Sequence, residues 1–345
     1  MPQASPREVL LGAQAATGFL PVCDHYCGVE PRMRKSLQLQ RELMREFGAC
    51  VFDVTLDCED GAPVGGELAH AQLVAAIALE AHEAARRETP GIVPRVAVRV
   101  HPVDHPAFEQ DVATILQAAA EVLCHVMLPK VESVADVERA VAAVDAACAR
   151  SGRTTPMPLQ ALIESAGAVQ QAFAIAAHPR VQSLSFGLMD FVSAHGGAIP
   201  DEAMGLAGQF SHPLVLRAKL EIAAACHAHG KVPSHCVVTE FSDVQAMRLA
   251  AGRAASELGY TRMWSIHPSQ IRPILEAFAP SDAAVDAAAD LIARAQAAQW
   301  APISHDGKLH DRASYRYFWQ VLERAHQTGR RLPASVQAWF AATPR

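Results

Sequence analysis

Two stretches decide the fold: Leu159-Gln160-Ala161-Leu162-Ile163-Glu164-Ser165 and Val181-Gln182-Ser183-Leu184-Ser185-Phe186-Gly187-Leu188-Met189-Asp190. Each is a short strand-like run that closes on a carboxylate, and the Ala-rich segment between them, Ala166–Ala177, has helical period. Strand, helix, strand at this spacing is the unit from which parallel sheets are stacked. Read outward, the same alternation recurs about eight times. The expected strands are Gly18–Cys23, Cys50–Leu56, Arg95–Val100, His125–Leu128, Leu159–Ile163, Val181–Phe186, Val232–Val237 and Met263–Ile266. The expected helices between them are Pro31–Phe47, Gly66–Arg87, Phe108–Val122, Val134–Ala149, Ala166–Ala177, Pro213–His229, Asp243–Leu258 and Pro268–Ala277. Ser133-x-x-Asp136 and Ser242-x-x-Gln245 read as helix starts, and Gly230 as a left-handed helix stop. Eight such units with short connections predict an α/β protein of the closed (β/α)8 TIM barrel type. An open doubly wound sheet would carry a Gly-rich phosphate turn, and neither G-x-G-x-x-G nor G-x-x-x-x-G-K-[ST] occurs.

Composition narrows the function. Lys and Arg number 30 against 36 Asp and Glu, a net charge of −6, and half of the 345 residues are apolar. That balance argues against a nucleic-acid partner, whose phosphates need a concentrated basic face. Eight cysteines without a C-x-x-C pair read as reduced thiols of a cytoplasmic protein; Cys23-Asp24-His25-Tyr26-Cys27 lacks the second ligand pair of a zinc finger. No apolar run approaches a membrane span. The expected domains are the barrel, 1–279, and a C-terminal helical extension, 280–345, too short for a core of its own and expected to pack on the barrel or on a neighbouring subunit. Only five lysines occur, at positions 35, 130, 219, 231 and 308, which restricts Schiff-base chemistry.

Barrel enzymes work at the C-terminal ends of their strands, and here nearly every strand end carries an ionisable residue. Asp57, Glu59 and Asp60 follow the second strand, Arg99 ends the third, Lys130 follows the fourth, Glu164 the fifth and Asp190 the sixth. Glu164 and Asp190, on adjacent strands, are two hard oxygen donors suited to Mg2+ rather than zinc. Arg99 is the residue type that grips a carboxylate through two parallel N–H groups. A divalent metal beside an arginine implies an acidic, oxygen-rich substrate such as a 2-oxo acid. The like-charge group Asp57, Glu59 and Asp60 should contain at least one raised pKa; it either relays protons or braces Arg99.

These residues resemble the citrate lyase β-subunit-like proteins of the HpcH/HpaI aldolase superfamily, which includes malyl-CoA and citramalyl-CoA lyases. The matching pieces, between about residues 50 and 275, are Leu56-Asp57-Cys58-Glu59-Asp60, Val98-Arg99-Val100, Leu128-Pro129-Lys130-Val131-Glu132, Ile163-Glu164-Ser165, Phe186-Gly187-x-x-Asp190 and Trp264-x-Ile266-His267-Pro268-x-Gln270. The resemblance implies an Mg2+-dependent carbon–carbon lyase acting on a 3-hydroxyacyl-CoA such as citryl-CoA, malyl-CoA or citramalyl-CoA. It implies Glu164 and Asp190 as metal ligands, and Arg99 on the 2-oxo acid with Gly187, Leu188 and Met189 beside it. It also implies Asp311 as an acid/base reaching the site from another copy of a homo-oligomer, a trimer or hexamer, with Asp57, Glu59 and Asp60 as further proton carriers.

The chain departs from the pattern in three places. Leu20-Pro21-Val22-Cys23 stands where the family has R-S-x-L-F-V-P, His101 stands for an Asn, and Val232-Pro233-Ser234-His235 stands for A-x-D-G. These segments bear on CoA recognition and acyl specificity. Three other readings stay open: a Schiff-base aldolase through Lys130, a metal-dependent aldolase of a free 4-hydroxy-2-oxo acid that does not use CoA, and a non-catalytic barrel that binds a ligand.

Overall fold

A computed structural model describes residues 5–12 and 20–340. Eight parallel strands close into a barrel in chain order, the last pairing with the first. They are β1 (Cys23–Cys27), β2 (Phe52–Asp57), β3 (Val96–Arg99), β4 (Leu123–Leu128), β5 (Leu159–Ile163), β6 (Val181–Phe186), β7 (Val232–His235) and β8 (Arg262–Ser265). Helices cover the outside, and β5, β6 and the helix Ala166–Ala177 between them have the expected bounds. The register sets Asp57 beside Arg99 and Arg99 beside Met127, so the ionisable strand ends share one rim.

The first strand lies further along the chain than Gly18–Cys23. Gly18 and Phe19 fall outside the described residues, and β1 runs through Cys23-Asp24-His25-Tyr26-Cys27, every residue buried. A charged residue there looks unlike a strand until its partners are known. Arg262 Nη2 lies 2.8 Å from Asp24 Oδ2 and 2.6 Å from Asp53 Oδ2, while Thr55 Oγ1 donates to Asp24 Oδ1 at 2.7 Å. Arg95 Nε donates to Asp53 Oδ1 at 2.5 Å, and the interior of the barrel is thus an ionic lattice instead of an all-aliphatic filling. One layer nearer the C-terminal rim it gives way to Tyr26, Met127, Leu162 and Trp264. Asp53, Cys124 and His125 also come within ligand distance of one another, but two guanidinium groups already neutralise Asp53, and burial pushes the His125 imidazole down to about 4. In Cys23-Asp24-His25-Tyr26-Cys27, both His25 ring nitrogens are taken up by hydroxyls, Nδ1 by Ser265 Oγ and Nε2 by Ser36 Oγ, each at 2.9 Å.

Two helix starts show how local signals resolve. Asp136 accepts from the Ser133 amide at 3.0 Å, as the capping reading requires. The helix Val244–Glu257 starts one residue later than expected: Asp243, not Ser242, accepts from the Gln245 and Ala246 amides. Gly230 takes the left-handed conformation, φ 63°.

The described residues divide into two compact units, 22–277 and a second one that joins those before residue 22 to 278–340. The second unit has its own core, contrary to the expectation for the tail. Leu10 of the helix Pro6–Leu11 packs with Ile292, Trp319, Leu322, Val336 and Phe340, and the Trp319 and Phe340 rings stack at 5.0 Å. Nor is the extension all helical. Between the helices Asp282–Ala297 and Arg312–Gln327 lies an antiparallel hairpin, β9 (Ile303–His305) and β10 (Lys308–His310). Asp306 and Gly307 turn it, both with positive φ (48° and 72°), the conformation that an Asp-Gly pair favours in a two-residue hairpin loop. Among the described residues, no helix is long and apolar enough to cross a membrane.

Candidate active site

Arg99 ends β3 and is held on one side by Asp57, at the end of the neighbouring β2. Nε donates to Asp57 Oδ1 at 2.7 Å and Nη2 to Oδ2 at 2.6 Å, a two-pronged pair, and Nη1 lies 3.0 Å from Glu59 Oε2. A guanidinium has five N–H groups. Three are used here, leaving one on Nη1 and one on Nη2. Its flat face is packed as well: the guanidinium carbon is 5.5 Å from the centre of the Tyr26 ring and 5.9 Å from that of Trp264, and those rings stack at 3.9 Å. Asp57 is pinned in turn by the Glu59 amide (3.0 Å) and the Gly61 amide (2.8 Å). A Cβ at Gly61 would stand 2.3 Å from Asp57 Oδ2, so only glycine fits that turn.

Burial works to raise the Asp57 carboxyl, but Arg99 and the two amides outweigh it and hold it below its ordinary range. The expected raised pKa is therefore not at Asp57. It is at Glu164, where burial and the neighbouring negative charge of Asp190 push the carboxyl up to about 8. Glu164 is 5% exposed and neighbours Asp190; its Oε1 accepts from the Lys130 amide at 3.1 Å. That amide is aimed by an uncommon backbone: Lys130 has φ 51°, a left-handed conformation that costs a side-chain-bearing residue strain. Gly187 clears the other side, since a Cβ there would lie 2.5 Å from Glu164 Cγ.

A buried carboxyl held against a second, more exposed carboxylate accepts a cation readily. The donors are oxygens only, with no imidazole or thiol at either strand end, a set that fits a small hard dication with room for other oxygen ligands. The residues present fit Mg2+.

Lys130 bridges the two halves of the cluster. Its ammonium pairs with Glu59, reaches Asp60 Oδ2 at 3.4 Å and lies 3.7 Å from Asp190 Oδ1. Burial favours the neutral amine, but these carboxylates prevail and raise the lysine above its ordinary value. A Schiff base needs a neutral amine, so this environment opposes the lysine route.

The expected site residues divide as follows. Arg99, Asp57, Glu59, Glu164, Asp190 and, more exposed, Asp60 meet at the barrel rim around Lys130. Gly187 makes space for Glu164, the Leu188 side chain is buried, and Met189 is 39% exposed. Asp311 is not part of this cluster; it belongs to the second unit, where its carboxylate caps Arg312–Gln327 by accepting from Ala313 and Ser314. Sequence reasoning assigned no role to Tyr26 and Trp264, which form the floor under Arg99. Trp264 opens one of the motifs quoted above, whereas Tyr26 carried no signal. His267 caps the turn Pro268–Gln270, its Nδ1 accepting from the Ser269 amide at 3.2 Å.

Comparison with known proteins agrees. Residues 39–268 match the family model described as HpcH/HpaI aldolase/citrate lyase. The chain is 32% identical over 246 residues to an L-malyl-CoA/beta-methylmalyl-CoA lyase of Cereibacter sphaeroides, covering 67% of this chain and 76% of that one. It is 30% identical over 265 residues to a citrate lyase subunit beta-like protein of Deinococcus radiodurans, covering 75% and 84%. A solved citrate lyase from Burkholderia xenovorans LB400 superposes with a TM-score of 0.79 at 49% identity, over 98% of this chain and 100% of that one. With the barrel, the ordered strand-end motifs and these likenesses together, the chain belongs to the HpcH/HpaI aldolase/citrate lyase family.

Proposed function

We propose that this lyase is an Mg2+-dependent carbon–carbon lyase that cleaves a 3-hydroxyacyl-CoA, of the malyl-, citramalyl- or citryl-CoA type, into a 2-oxo acid and an acyl-CoA. The observation that carries the reading is the pairing of a buried, charge-starved carboxyl, Glu164 against Asp190, with an arginine whose two remaining N–H groups are unspent. The malyl-CoA lyase likeness supports the thioester.

Glu164 and Asp190 would hold Mg2+, which when bound supplies Lewis-acid stabilisation to charge developing on the substrate oxygens. Arg99 offers its two remaining N–H groups to the carboxylate of the 2-oxo acid portion. Asp57 and Glu59 fix the guanidinium in plane, and Tyr26 and Trp264 fix it from the face, so little reorganisation is needed when the substrate arrives. Retro-aldol cleavage removes the proton of the substrate hydroxyl and returns one to the thioester enolate. Asp311 of another copy, Glu59 or Asp60 takes and returns it. Lys130 keeps the cluster of carboxylates from expelling an anionic substrate.

The test is release of a 2-oxo acid from a panel of CoA esters with Mg2+, beside free 4-hydroxy-2-oxo acids. Turnover of the free acids alone would transfer the assignment to an aldolase that does not use CoA. Glu164→Ala should abolish the Mg2+-dependent turnover.

A further inference from the structure

Outside the barrel rim, one cluster of reactive side chains has no part in the chemistry above. Lys219, on the helix Pro213–Ala228, is fully buried, whereas Lys35, Lys130, Lys231 and Lys308 are partly or fully exposed. Its Nζ donates to Gln209 Oε1 at 2.9 Å and sits 4.3 Å from the centre of the Phe210 ring. Cys236, one residue past β7 and also fully buried, donates from Sγ to the same Gln209 oxygen at 3.3 Å. The amine and the thiol therefore converge on one acceptor, the Gln209 side-chain oxygen.

A buried lysine ordinarily has a carboxylate partner. The groups acting on Lys219 are Cys236 and Arg253, with no carboxylate among them, and burial lowers its ammonium to about 8. A sizeable share of free amine beside a thiol is thus available in mildly alkaline solution. Burial raises the Cys236 thiol, so the cross-link below requires a local opening of the fold that admits peroxide to the sulfur.

We propose that Lys219 and Cys236 form an oxidative cross-link, a sulfenamide bond between Nζ and Sγ, when the protein meets a peroxide. Hydrogen peroxide transfers one oxygen to the thiol, giving the sulfenic acid and one water. The Lys219 amine then attacks the sulfur, the sulfur–oxygen bond breaks, and hydroxide leaves with a proton from the nitrogen as a second water. Thiol, amine and one peroxide thereby give one sulfur–nitrogen bond and two waters, and the protein loses two hydrogens. A thiol reductant reverses the bond by attack on the sulfur. The link ties the end of β7 to the helix Pro213–Ala228, next to the segment Gly208–Phe210 that supplies Gln209 and Phe210.

The experiment treats the full chain with hydrogen peroxide, blocks remaining thiols and digests it with trypsin without reductant. Because a linked Lys219 is not cut, fragment 218–231 should appear joined to 232–248, lighter than the two together by two hydrogens. A thiol reductant should abolish that species. It should be absent from Cys236→Ala and Lys219→Arg and should persist in Cys226→Ala, the cysteine that shares fragment 218–231. Disappearance of the species in Cys226→Ala would make it a disulfide and overturn the proposal. So would recovery of Cys236 from the wild-type chain only as free thiol or sulfinic acid.

Discussion

Arg99 spends three of its N–H groups on the protein itself, and this makes its replacement by lysine a severe change. Arg99→Lys keeps the charge but loses the two-pronged contact with Asp57 and both outward N–H groups. We expect kcat/KM to fall on the order of 100-fold, as when one preorganised donor is removed, with the fold retained by circular dichroism. Glu164 gives a prediction in pH. Its folded pKa, about 8, lies above that of an unfolded glutamate, so the folded chain holds a proton that the unfolded chain has released. In chelator, this residue should erode stability by up to about 1.4 kcal/mol per pH unit as pH rises from roughly 4.5 toward 8. Glu164→Gln should remove that slope from urea denaturation curves, and equal slopes for the two proteins would refute the assignment. Gly187→Ala tests the space around the same carboxyl: the added methyl would meet Glu164 Cγ, so Mg2+-induced stabilisation should weaken about tenfold in midpoint while the thermal transition stays cooperative. The roles at this scale were legible wherever a charged side chain ended an apolar run, as with Glu164 and Asp190. The direction of the pKa shifts was not legible, because it depends on which carboxylate finds an arginine. Asp57 has one and Glu164 has a second carboxylate.

At the scale of single elements, the sequence marks a strand well when both faces are apolar and poorly when its interior face is ionic. Strands β5 and β6 have the expected bounds, while β1 lies several residues away from the expected Gly18–Cys23. Asp24 reads as a loop residue until Arg262, more than two hundred positions later, is known to neutralise it. The same holds for the hairpin β9–β10, whose Asp306-Gly307 turn was a readable signal in a segment that otherwise looked helical. Caps obey shorter rules. Asp243→Ala should destabilise the barrel by about 1 kcal/mol, because two amides of the first turn of Val244–Glu257 lose their acceptor. Ser242→Ala should change it by less than about 0.5 kcal/mol. Urea midpoints of the two variants decide which residue is the cap.

For the whole molecule, periodicity alone indicated a closed barrel, since eight strand–helix alternations without a phosphate turn leave few alternatives. It could not show that the N-terminal helix Pro6–Leu11 joins the C-terminal residues in a core, because Leu10 and Trp319 are distant in sequence. Asp311 raises a question at this scale: if it acts on the rim of another copy, mixing Asp311→Ala with Glu164→Ala should restore activity that each lacks alone. Failure of well-assembled mixtures to recover any would place the acid/base among Glu59 and Asp60. The central claim, a metal-assisted cleavage at Glu164, Asp190 and Arg99, is tested most directly by a single assay. Malyl-, citramalyl- and citryl-CoA are supplied to the wild-type chain with Mg2+ and with EDTA, and 2-oxo acid and acyl-CoA are both quantified. The account predicts equimolar 2-oxo acid and acyl-CoA from at least one ester with Mg2+ and neither in EDTA; equal turnover in EDTA, or free CoA without any 2-oxo acid, would contradict it.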